Sequence, residues 1–159
     1  EPYRRQRQMC IRDRLSERLG LPFYDTDQML IEHYQMTIPE IFAKGGETLF
    51  RDYEHEIARR VCTLGPSVVS TGGGMLTFDR NGEILAKNGM IFYIDRPFED
   101  CYANLAQHPE RPLFKNHTKK EVQDMYLIRR DLYRKYAKFD IKNTGTAGEA
   151  AEKICDLLK

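Results

Sequence analysis

Four short apolar or β-branched runs, at 22–24, 67–70, 90–94 and 138–141, set the limits on what this chain can fold into. Each has strand length, and each is separated from the next by a stretch in which apolar residues recur at three and four. Strand, helix, strand, helix in that order predicts an α/β fold, a parallel sheet covered by helices on both faces. Thr37-Ile38-Pro39-Glu40 reads as a helix start, with Thr37 as cap, Glu40 three residues on and Pro39 in the first turn. Gly45 and Gly46 are expected to stop that helix. A longer one follows over 47–64, its stripe made by Phe50, Tyr53, Ile57, Val61 and Leu64. The polar, proline-broken segment 108–118, "HPERPLFKNHT", fits no regular element and is read as a loop and candidate lid.

A chain of 159 residues suits one domain with a core of its own. Its net charge of +1 supplies no field that would draw in nucleic acid or an anionic membrane, so any partner must be recognised at a local site. Cys10, Cys62, Cys101 and Cys155 are far apart, with no histidine at zinc-ligand spacing. They read as reduced thiols of a cytoplasmic protein. No apolar run has the length of a membrane span.

Five places carry candidate chemistry. In "VVSTGGGM" (68–75) a strand breaks into Gly72, Gly73 and Gly74. Three glycines are costly to order, and the alternatives are a loose turn or a close approach of some group to the backbone. Asp25-Thr26-Asp27 follows the first strand. On extended backbone the two acids would face one pocket at the carboxyl edge of the sheet, though either could instead cap the next helix. Arg129 falls on the apolar stripe of Val122, Met125, Tyr126, Leu132, Tyr133 and Tyr136, with Arg130 off it. A guanidinium on such a face needs an internal acid or a ligand anion. Arg51 poses the same choice, with Glu54 three residues on as its simplest partner. Arg111, in the lid, has no periodic reason for its position and on its own reads as a solvated surface residue.

Taken together these stretches resemble the shikimate kinase family: "LGLPFYDTD" (19–27), "IPEIFAKGGETLFRDYE" (38–54), "VVSTGGGM" (68–75), "ERPLF" (110–114) and "RRDLY" (129–133), in order and in register. The resemblance implies a nucleoside-monophosphate-kinase-like fold and ATP-dependent phosphorylation of the shikimate 3-hydroxyl, with Mg2+, by a monomer. On that resemblance Asp27 orients the accepting hydroxyls, and Asp25 acts on the metal through water. Arg51 and Arg129 grip the substrate carboxylate, Gly72, Gly73 and Gly74 lie against its ring, and Phe42 and Phe50 wall the pocket. Arg111 swings in with the lid to the ATP phosphates. Asn104 stands where the family often has an arginine facing adenine.

One part of the pattern is missing. Aligning "LSERLG" (15–20) with the end of the family's first helix puts Gln8 and Met9 where a phosphate-loop Lys and hydroxyl belong, and no glycine precedes Gly20. The expected organisation is therefore a segment 1–13 outside the family pattern and a domain 14–159 without the central strand and phosphate loop, the lid lying within it. "QMCIRD" (8–13) back-translates into a transposase-adapter end, which makes 1–13 a junction artefact on this reading. A chain so built is expected to be marginally stable and inactive. The alternative is a non-catalytic shikimate-binding or regulatory protein. The six arginines before Leu19 are diluted by acids and carry no aromatic platform, which argues against a nucleic-acid arm.

Overall fold

The computed structural model describes residues 2–110 and 112–159, the side chains of 2–10 and 112 excepted. Helix α1 (Pro2–Leu19) leads into β1 (Phe23–Asp25), then α2 (Thr26–Tyr34) and α3 (Ile38–Val61). Strand β2 (Val68–Ser70) passes through the glycine corner into a 3-10 turn (Met75–Thr77) and α4 (Asp79–Asn88). After β3 (Phe92–Asp95) come α5 (Phe98–Ala106), the short α6 (Pro112–Lys115), α7 (Lys119–Tyr136), β4 (Phe139–Lys142) and α8 (Ala147–Leu157).

Local chemistry accounts for the element ends. Thr37 Oγ1 accepts from the Glu40 N–H at 3.2 Å, as its spacing predicts. Thr118 and Glu121 cap α7 reciprocally, and Thr146 caps α8. The glycine stop at 45–46 takes a different form: the two predicted helices run on as α3, and only Gly46 leaves helical geometry, at φ 70° and ψ −163°. A left-handed φ is cheap for glycine, so the axis kinks there without ending. The 108–118 segment also differs from its reading as pure loop, because Pro112 starts a single helical turn at the position where proline is tolerated.

The sheet is in two pieces. Phe23 to Asp25 of β1 pair in parallel with Val68 to Ser70 of β2, and Phe92 to Asp95 of β3 with Phe139 to Lys142 of β4. Among the described residues no strand joins the pairs, so each strand keeps one unpaired edge. The core divides the same way. Leu30, Ile41, Phe50, Ile57, Ala58, Met75 and Leu85 bury one cluster between α2, α3 and α4. Leu15, Ile141, Ala151, Ile154 and Cys155 form the other, and Ile11, Leu19, Val68, Phe92 and Ile94 pack against it. That second cluster spans both strand pairs and ties them through apolar contact where a shared ladder is lacking.

Candidate acceptor-binding site

The carboxyl ends of β1 and β2 meet at Asp25, Asp27 and the glycine corner. Strand β1 stops at Asp25 and α2 begins at Thr26, so the two acids do not share one extended segment as the sequence suggested. Asp25 is the helix cap: its Oδ1 accepts from the N–H groups of Asp27 at 2.9 Å and Gln28 at 3.2 Å. Its Oδ2 accepts from Arg12 Nη1 at 2.7 Å. Both oxygens are thus engaged inside the protein. Asp27 is left in the first turn of α2, beside the glycines.

The glycine corner is a place of close approach. A Cβ on Gly72 would stand 2.7 Å from Asp27 Oδ1, and one on Gly74 would stand 3.0 Å from Arg51 Cζ. The triplet therefore makes room for a carboxylate and a guanidinium against the backbone. Gly72 donates its N–H to Thr26 Oγ1 at 3.0 Å, which removes that group from the set expected to face a ring. The N–H groups of Gly73 and Gly74 have no protein acceptor among the described residues. Gly73 O accepts from the Tyr133 hydroxyl, linking the corner to α7.

Arg51 projects from α3 with its guanidinium between the rings of Phe50 and Phe78, 5.2 and 5.0 Å from their centres. Nη1 donates to Glu54 at 3.1 Å and Nε to Glu47 at 3.4 Å, so the simple helix-face partner is real. Nη2 has no protein acceptor among the described residues. Phe42, half-exposed, packs on Phe50 with ring centres 5.0 Å apart. An open cavity of about 300 Å3, lined by Glu47, Thr48, Arg51, Asp52, Phe78 and Arg80, reaches Arg51 from the α4 side and does not touch Asp27.

Arg129 is exposed, which corrects its reading as a core-facing cation; Arg130 is the half-buried one. The apolar pattern misleads because Met125, Leu127 and Ile128 are themselves exposed, Ile128 by 63%. Polar contacts fix α7 beside its ring contacts with Tyr93 and Phe98: the Tyr126 hydroxyl lies 3.0 Å from Asp95 Oδ1 and 2.6 Å from Arg96 O, and Arg134 bridges Asp95 and Asp140. Burial and the Asp95 contact push the Tyr126 hydroxyl up to about 12, so it stays a donor at neutral pH. Arg129 lies one helical turn before Tyr133, whose hydroxyl reaches the glycine corner. It makes no ion pair or hydrogen bond among the described residues. Arg111 lies outside them. Sequence reasoning missed Thr26 and Phe78; Thr26 had a signal, since a hydroxyl between two acids at a strand end is placed to accept from a neighbouring strand.

Glu54 is only 2% exposed, and burial raises its pKa against the lowering effect of Arg51. A carboxyl with a raised folded-state pKa contributes its full stability below the ordinary value of 4.5 and loses it as pH rises through the folded value. The stability of the wild-type chain relative to Glu54→Gln should therefore fall with rising pH across that window. Denaturant midpoints of both proteins over a pH series check this, and a flat difference would refute it.

The fold is of the nucleoside-monophosphate-kinase-like α/β class, and at this sheet edge Asp27, Arg51 and the glycine corner lie side by side. The family model described as shikimate kinase matches residues 10–159. The chain belongs to the shikimate kinase family. A shikimate kinase of Clostridium botulinum (strain Alaska E43 / Type E3) is 35% identical over 144 residues, which cover 91% of this chain and 86% of that one. The structure of shikimate kinase from Acinetobacter baumannii in complex with shikimate superimposes with TM-score 0.81 at 33% identity, covering 93% of this chain and 84% of that one. The shikimate kinase structure of Aquifex aeolicus gives 0.82 at 31%, covering 94% and 88%.

The family implies ATP, and among the described residues the segment before β1 does not form the cradle its phosphates need. Residues 2–19 form one continuous helix with no glycine in it, and an anion cradle needs backbone freedom that such a helix lacks.

Proposed function

We propose that this chain binds shikimate through the acceptor half of a shikimate kinase site and that, with the residues it carries before Leu15, it does not transfer a phosphoryl group. Arg51 and Arg129 receive the carboxylate, and Asp27 accepts hydrogen bonds from ring hydroxyls and orients the one that reacts in the complete enzyme. The N–H groups of Gly73 and Gly74 border the ring, with Gly72 opening the turn, and Phe42 and Phe50 wall it. In the complete enzyme the lid over 108–118 brings Arg111 to the transferred group, and the functional unit is a monomer spanning 14–159. Asp25 serves here as the cap that sets Asp27.

The observation that carries this reading is the guanidinium of Arg51, held between two rings and against Gly74 with Nη2 unused. A cation so fixed beside an aspartate and two unused N–H groups suits a small acid bearing hydroxyls. Calorimetry tests it. Shikimate should bind with one-to-one stoichiometry, a cyclohexane polyol without the carboxylate should not, and ATP alone should give no heat. A folded chain that ignores shikimate would overturn the reading, as would one that binds ATP in its absence.

A further inference from the structure

We infer that Arg12 is the resident counter-cation of Asp25, and that while it is in place this end of the sheet is closed to a divalent metal ion. Arg12 is 8% exposed, its Nη1 lies 2.7 Å from Asp25 Oδ2, and its guanidinium sits 5.1 Å from the centre of the Phe23 ring. A cation this deep is tolerated only when paired, and Asp25 is its one acid among the described residues. The other Asp25 oxygen is spent on the Asp27 and Gln28 N–H groups. Arg12 Nε is buried with no partner, so donors at this point already exceed acceptors.

A divalent ion would have to take Oδ2, directly or through water, and stand within a few ångströms of the guanidinium's positive charge. That repulsion, beside a side chain as buried as Arg12, decides against it. Arg12 is held there by the face of α1 that also buries Leu15 and Leu19, so the pairing is part of how this helix docks. The metal dependence implied by the family is thereby replaced at Asp25 by an internal ion pair.

The test uses Mn2+ alone as probe, with no shikimate, so its outcome is independent of the acceptor-site reading. Electron paramagnetic resonance counts free ion in titrations of the full chain, Asp25→Asn and Arg12→Gln. The wild type and Asp25→Asn should show the same weak uptake, within about twofold, while Arg12→Gln should gain one site at least about tenfold tighter that is lost again when Asp25→Asn is added. Stoichiometric Mn2+ binding by the wild type that disappears in Asp25→Asn would overturn the inference, as would a folded Arg12→Gln with no gain. Should the variants not fold, the unmodified chain decides alone: the Asp27 and Gln28 amide resonances should stay sharp when Mn2+ is added, and selective broadening of them would refute the pairing.

Discussion

Arg51→Ala should weaken shikimate binding by about 100-fold, from the loss of two charge-assisted hydrogen bonds at roughly 1.5–3 kcal/mol each, only partly offset by water. Arg129→Ala should cost a similar factor, yet the two variants should differ in stability. Arg51 stacks on Phe50 and Phe78 and pairs the buried Glu54, so its removal strands a carboxylate at 2% exposure. An unpaired buried acid costs several kcal/mol when ionised, so Arg51→Ala should melt lower and its deficit should grow with pH. Arg129 is exposed and contacts no acid among the described residues, so its alanine variant should melt with the wild type. Arg51→Lys should recover part of the melting temperature and little of the affinity, because an ammonium cannot reproduce the fork between the rings. Calorimetry beside thermal melts separates the two quantities. Unchanged affinity in a folded Arg129→Ala would remove half of the carboxylate clamp.

The strands were legible because their β-branched runs are short and isolated, and Thr37 and Glu40 announced a helix start that the structure keeps. Gly45 and Gly46 were read as a stop because sequence does not say whether a left-handed residue ends a helix or kinks it; the packing of Phe50 and Ile57 behind Gly46 lets α3 resume. Arg129 was noticed for a reason that failed. Periodicity assigned it to a core face, but α7 is held by Tyr126, Tyr133 and Arg134 reaching polar partners on other strands and the glycine corner, and hydropathy does not register such bonds. Asp25 and Asp27 were recognised as a pair, whereas which of them caps α2 depends on where β1 ends, a matter of one residue. Arg12 could not have been assigned, since its partner lies thirteen positions away on another element.

Replacing 1–14 by a β-branched strand, a glycine-rich loop with Lys-Ser or Lys-Thr at 8 and 9, and a helical segment without arginine that runs into Leu15 should change the chain from no measurable phosphorylation of shikimate to clear ATP-dependent turnover. The argument starts from the backbone. Strands β2 and β3 each present an unpaired edge, and the cluster of Leu15, Val68, Phe92, Ile94 and Ile141 lies across both pairs. Unpaired edges favour wrong association over rigid folding, and a parallel strand laid between them would satisfy both. The grafted chain should therefore melt higher and more sharply than the present one, and aggregate less. Its loop would supply the N–H groups and the lysine that a phosphate requires, which residues 2–14 as a helix do not. The graft removes Arg12 as well, which frees Asp25 Oδ2, so Mn2+ uptake should appear together with turnover. Adding Arg51→Ala to the graft should lower kcat/KM for shikimate by about 100-fold while leaving Mn2+ uptake intact. A graft that folds cooperatively and binds shikimate yet transfers nothing would mean that the acceptor half described here is not poised for transfer, and that its role is binding alone.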